Sequence, residues 1–270
     1  MPRPFESGSR LFMPLPLVQA HSPRRIRAAE FFALYWDSPL WHQHPLIVHF
    51  LTPNRSFGMN VLHVIANPRP AETSKSKKLA LEFFTTLTEK NPDVLVNNVD
   101  LYQNKPPFVT VEALNYFWGP VADPAYNPAK AEETAANYSN NNAQALVDAD
   151  VLVLTLPVWL NSMPSILKAW IDQVIVPGKM FNMGPEGVVP THHLRTVVLL
   201  VSSDEIYKEG DVLDGLTPAI RAIFGYIGVD DIQIAWADGQ DSVRHFDSAE
   251  RFEMAAEAAR EIAEEVAELA

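Results

Sequence analysis

The chain has no cysteine in 270 residues. That excludes disulfides, a thiolate nucleophile and any thiolate-bound metal centre, and it fits an intracellular, cytoplasmic location. An excess of basic residues is missing as well: 21 Lys and Arg face 33 Asp and Glu, for a formal net charge of −12. Nonspecific binding to nucleic acid or to an anionic membrane needs the opposite balance. No apolar run reaches the roughly 18 residues that mark a membrane-spanning helix. Glycine motifs are absent too. No Gly-x-Gly-x-x-Gly follows the first strand, and there is neither a Walker A loop nor a Gly-x-Ser-x-Gly elbow. Support is therefore lacking for a dinucleotide-binding Rossmann site, a P-loop NTPase or an α/β-hydrolase nucleophile. What is present is the composition of an ordinary globular domain, 47% hydrophobic and 20% charged.

Residues 1–58 differ from the rest. Six arginines against Glu6, Glu30 and Asp37 give this stretch a net charge of +3, which leaves −15 for the remainder. Its many prolines and poor periodicity predict a disordered or loosely docked extension, or translation from a start upstream of the true one, with Met59 directly before the first strand. A signal peptide centred on Leu11 to Val18 is disfavoured because Pro14 and Pro16 interrupt it. His42, His44 and His49 lack a carboxylate at ligand spacing and read as incidental, so no metal site is expected.

From Met59 onward, apolar runs alternate with helical patterns. Strands are predicted at Asn60–Ala66, Val94–Leu101, Val151–Leu156, Thr196–Ser202 and Asp231–Ala237. A helix capped by Ser74 follows the first strand, with Leu79, Ala80, Phe83, Phe84 and Leu87 on one side. Others are expected to end near Asp148, over Ile166–Val174, over Thr217–Ile227, and after a capping box at Asp247 to Glu250. Between Lys105 and Asn142 five prolines argue against a long regular element. The alternation predicts an α/β domain over residues 59–270, a flavodoxin-like doubly wound five-stranded parallel sheet with helices on both faces.

Ligands of such sheets sit beyond the carboxyl ends of the strands. The first strand empties into NPRPAETSKSKK, where hydroxyls and a helix amino terminus suit a phosphate. The third empties into PVWLNSMP, a stiff loop holding a Trp and an Asn. A phosphate loop paired with an aromatic-bearing loop fits a mononucleotide with a flat ring, above all FMN.

Three segments, TSKSKKL, PVWLNSMPSILKAWIDQV and the run from SSDEIYKEG to TPAIRAIFGYIGVDDIQIAWADG, resemble the flavodoxin-like NAD(P)H:quinone oxidoreductase and FMN-dependent NADH-azoreductase family over nearly all of residues 59–270. The resemblance implies a homodimer that binds FMN at the subunit interface and passes hydride from NADH or NADPH to quinones or azo compounds by a ping-pong cycle. It implies a phosphate site at Asn67, Ser74, Ser76 and Lys77. Pro157, Val158, Trp159, Leu160 and Asn161 would line the isoalloxazine, joined by the third loop, Ser202, Ser203, Asp204 and Glu205. Tyr207 would serve as a hydrogen-bond or proton donor near the acceptor. This chain departs from the family pattern in three places: Lys77 replaces an uncharged residue, Leu160 replaces a common Asn, and Asp204-Glu205 replaces Gly-Gly. Those acids either lower the flavin potential or sit on a loop rotated so that both face solvent. Two other readings stay open on the residues alone: a flavin-free binding or regulatory module, and an electron-carrier flavodoxin that does not use NAD(P)H.

Overall fold

The computed structural model describes residues 58–208 and 211–269. The expectations for the amino-terminal extension, its signal-peptide reading and its three histidines lie outside the described residues. In chain order the elements are β1 (Asn60–Ile65), α1 (Lys75–Lys90), β2 (Leu95–Asp100), α2 (Val111–Ala122), α3 (Lys130–Ala135), α4 (Asn137–Val147), β3 (Val151–Pro157), α5 (Ser165–Val174), β4 (Phe181–Gly184), β5 (Gly187–Pro190), β6 (Thr196–Ser202), α6 (Thr217–Tyr226), β7 (Asp231–Ala237) and α7 (Ser248–Ala267).

The five predicted strands form one sheet in the order β2-β1-β3-β6-β7, with every pair parallel. β3 and β6 are central and buried on both faces up to their last residue, which is why their sequences are dominated by Val and Leu. On one face α1 and α7 pack Leu79, Phe83, Phe84 and Ala259 against Val153, Val198 and Ala235. On the other, α4, α5 and α6 bring Leu146, Trp170 and Phe224 onto Leu154 and Leu199. The strand order reverses at β1 and β3, so the loops leaving these two strands flank the crevice where such sheets bind ligands.

A histidine is enclosed in this core. His63 is fully buried in β1; its Nδ1 lies 2.8 Å from Asn98 Oδ1 and its Nε2 lies 2.8 Å from Thr155 Oγ1. The ring also packs against Phe84. Burial pushes its pKa down to about 4, against a weaker upward pull from Asn98 and with Lys77 repelling the charged form further. The imidazole is therefore neutral at pH 7, and it ties three adjacent strands together.

Three local expectations need correction. The proline-rich stretch holds two helices, α2 and α3, ahead of α4, which is the helix expected to end near Asp148. Thr110 caps α2 by accepting the Ala113 amide, and Pro120 is tolerated because it falls in the last turn, where it removes one helical bond without breaking earlier ones. The remaining prolines occupy the connections. The hairpin β4–β5, closed by Pro185 and Glu186, lies where no element was predicted. The capping box before α7 does not form: Asp247 makes no side-chain cap bond and its carboxylate instead accepts from Arg251 Nε at 2.9 Å.

Candidate functional site

The loop after β1 is braced by Asn67. Its Nδ2 donates to Ser74 Oγ at 2.8 Å and Ser76 Oγ at 3.0 Å, while its Oδ1 accepts the Arg69 amide. Ser74 also accepts the Lys77 amide and so caps α1, as its sequence position predicts. Both hydroxyl oxygens are thus occupied as acceptors. The two oxygens also lie 3.4 Å apart, within hydrogen-bond reach, so one hydroxyl hydrogen is shared between them and the other remains for an anion, beside the Lys75 and Ser76 amides that the first helical turn leaves without intrahelical partners. Lys77 turns its ammonium inward to the Arg69 carbonyl at 2.7 Å, and burial lowers its pKa against the pull of Asp100 and Glu72. It stiffens the loop as well as adding charge. Arg69 was missed by sequence reasoning although it stands in the same NPRP run. It is exposed on this loop and adds a second cation.

The loop after β3 starts on a fixed edge, because Val158 donates to the Ser202 carbonyl at 2.8 Å and keeps β3 and β6 together past their ends. Two hydrogen bonds between Trp159 and Ser162 then close a two-residue turn. Leu160 and Asn161 at its apex have φ of 47° and 63°. This left-handed pair suits Asn-Gly and costs a leucine about 1 kcal/mol or more. The Leu160 side chain is completely exposed, so packing does not hold it there. The surrounding loops do. Gly215 donates to the Asn161 carbonyl at 2.8 Å, Ser162 Oγ donates to the Gly215 carbonyl at 3.2 Å, and Tyr207 donates its hydroxyl to Asn161 Oδ1 at 2.7 Å. The Leu160 and Asn161 amides have no partner among the described residues, so the turn presents two fixed donors.

The third loop is built around Ser203, which is buried. Its amide donates to the Ala237 carbonyl, its hydroxyl donates to the Glu205 carbonyl at 2.8 Å, and its oxygen accepts Trp236 Nε1 at 2.8 Å. Ser202 accepts the Val158 amide and links this loop to the second. Asp204 and Glu205 are both exposed. The Glu205 carboxylate forms an ion pair with Arg244, which also holds Asp241; these two bonds raise the Arg244 pKa above its ordinary value. The Glu205 side chain is thus drawn to Arg244, while Asp204 stands exposed at the start of the loop.

The structure thus brings the three predicted loops to the carboxyl end of one sheet, with Asn161 and Tyr207 in direct contact. Trp159 is 42% exposed and stands at the start of the turn. Among the described residues no cluster of His, Asp and Glu could hold a metal, and no helix is long and apolar enough to cross a membrane.

Residues 59–263 match the family model for the flavodoxin-like fold. An FMN-dependent NADH:quinone oxidoreductase of Bacillus cereus is 30% identical over 185 residues, 67% of this chain and 87% of that protein. One from Clostridium beijerinckii is 30% identical over 182 residues, 67% and 86% of the respective chains. Among solved structures, the azoreductase from Bacillus anthracis superposes with a TM-score of 0.69 at 26% identity, over 77% of this chain and 99% of that one.

Proposed function

The chain belongs to the flavodoxin-like-fold family that includes FMN-dependent NADH:quinone oxidoreductases, and on that premise we propose that it binds FMN and carries two electrons from NADH to a quinone or an azo compound. The observation that carries this reading is the pairing of two donor sets on the loops of adjacent strands. One, at Asn67, Ser74 and Ser76, offers a hydroxyl and helix amides to a dianionic phosphate. The other, at Leu160 and Asn161, offers two backbone amides on a left-handed turn. A hydride acceptor with a fused ring gains from donors aimed at the edge where negative charge develops, since they need no reorganisation during reaction.

FMN, when bound, supplies the redox chemistry, taking hydride from NADH in one half-reaction and reducing the acceptor in the next. The protein's part is to fix and polarise. Ser74 and Ser76 anchor the phosphate end, Pro157 and Val158 set the height of the second loop above β3, and the Leu160 and Asn161 amides hold the ring edge. Ser202 and Ser203 fix the third loop beside it. Steady-state NADH oxidation by the FMN-loaded protein is expected to require added quinone and to give parallel lines in double-reciprocal plots. Oxidation that needs a protein partner instead would support an electron carrier.

The pairing of Glu205 with Arg244 weakens the residue-level argument for a flavin-free module, which rested on acids replacing the family's glycines. Replacing Asp204 and Glu205 together by glycine is expected to leave the FMN midpoint potential unchanged, because Glu205 is neutralised by Arg244 and Asp204 is solvated. A clear rise in potential would show that they act on it.

We further propose a homodimer. Trp118, Met183, Val189 and Tyr226 are 41–51% exposed, and a groove of about 430 Å³ runs between α2, α5 and α6, walled by Trp118, Ile171, Phe181 and Tyr226. The exposed apolar rings of Trp118 and Tyr226 in this groove are a mark of association. A mass near twice 30.2 kDa by light scattering is the expected result. A cytoplasmic location, where NADH is supplied, goes with the same reading.

A further inference from the structure

Tyr207 is the residue that the family resemblance places near the acceptor, and its surroundings point to a different task. Its phenol hydrogen is committed to Asn161 Oδ1 at 2.7 Å, across 46 residues of sequence. The ring is stacked on Trp236 of β7 at 5.1 Å between centroids and 26° between planes. Trp236 is itself pinned, since its indole N–H donates to Ser203 Oγ, whose hydrogen goes to the Glu205 carbonyl. A chain of oriented contacts therefore runs from the rigid end of β7 to a single acceptor atom on the strained turn.

We propose that Tyr207, backed by Trp236, is a positioning residue that latches Asn161, and through it the left-handed turn whose free amides face the ligand. The inference rests on the FMN-binding reading for its functional meaning, but the latch itself is a property of the protein alone. Leu160 and Asn161 hold positive φ with no packing on the Leu160 side chain. Relaxation toward the extended or right-handed region would release the strain and turn the two amides away. Two bonds to Asn161 oppose that motion, one from the Gly215 amide to its carbonyl and one from Tyr207 to its side chain. A proton-donor role fits poorly: the hydroxyl already has an acceptor, and burial together with Glu205, Asp214 and Asp211 raises the phenol pKa.

Glycine adopts positive φ without strain, which separates the two roles. In the FMN-free protein, Tyr207→Phe is expected to speed hydrogen exchange at the Ser162 and Gly215 amides about fivefold, the loss of roughly one hydrogen bond. Asn161→Gly added to Tyr207→Phe is expected to return exchange to within about twofold of the unmodified chain, although it restores no hydroxyl. Trp236→Leu is expected to speed exchange as Tyr207→Phe does, at some cost in stability because Trp236 packs on the core, whereas thermal unfolding is expected unchanged in Tyr207→Phe and the double variant because the turn lies at the surface. The FMN dissociation constant, read by flavin fluorescence quenching, is expected to rise and recover in the same order. Unchanged exchange in Tyr207→Phe would overturn the latch. So would a loss of turnover that Asn161→Gly fails to rescue while exchange stays normal, which is the pattern of a proton donor. Failure of the unmodified chain to bind FMN would sink the FMN reading alone, since the exchange measurement still decides the latch.

Discussion

Replacing Gly215 by alanine is expected to weaken FMN binding about tenfold while leaving global stability nearly unchanged. An ideal Cβ on Gly215 would lie 2.6 Å from the Asn161 carbonyl oxygen, a distance that side chains do not tolerate. Gly215 is the stiffer partner. That oxygen accepts the Gly215 amide at 2.8 Å, and Gly215 is held from behind by Asp214, whose buried carboxylate accepts the Leu216 and Thr217 amides at the start of α6. The turn is the softer side and moves. Tenfold corresponds to about 1.4 kcal/mol, within the range expected for a methyl forced into a filled contact. Unfolding should barely register it, because the contact joins two surface loops. Titration of FMN into the variant, alongside a urea unfolding curve, checks both halves. Equal affinity would mean that the turn does not hold the ligand.

The second expectation concerns acid. His63 is neutral in the fold with a pKa near 4, and free histidine has 6.5. The sign follows from which state binds the proton first. Between pH 6.5 and 4 the unfolded chain is protonated and the folded one is not, so stability contributed by the neutral ring is complete above pH 6.5 and is lost as pH falls through this window. The full loss is about 3 kcal/mol at 1.36 kcal/mol per unit, and most of it, about 2–3 kcal/mol, is reached by pH 4.5. Carboxylates titrate there too, so the comparison must be made against His63→Phe. That variant gives up the bonds to Asn98 and Thr155 and should be less stable at pH 7, yet its stability should fall by about 2–3 kcal/mol less on going to pH 4.5. Urea midpoints at the two pH values measure this. Parallel losses in both proteins would place the acid sensitivity elsewhere.

How far these features were legible in sequence depended on the range of the interaction. The strands at residues 151–156 and 196–202 read directly because both faces are buried and only Thr155 breaks their apolar interiors. The Ser74 cap was equally legible, since its partner is only three residues away. Short range also produced errors: the prolines near α2 obscured a helix that tolerates Pro120 in its last turn, and the acid three residues after Asp247 suggested a box that Arg251 competes away. The hairpin β4–β5 is only four residues on each side and carries little alternation. Long-range contacts left no signal at all. That Glu205 would meet Arg244 39 residues on, or that Tyr207 would lie between Asn161 and Trp236, is decided by the order in which the strands assemble. Sequence could therefore name the loops of the site, whereas their mutual restraint required the fold.

The central claim, that these loops hold an FMN which NADH reduces and a quinone reoxidises, is tested most directly by an anaerobic titration of the FMN-loaded protein with NADH, followed in the visible spectrum. The expected result is bleaching of the flavin band by one equivalent of NADH per bound FMN and full return of colour on adding one equivalent of quinone. A protein that retains no flavin after incubation with excess FMN, or a bound flavin that NADH leaves oxidised, would contradict it.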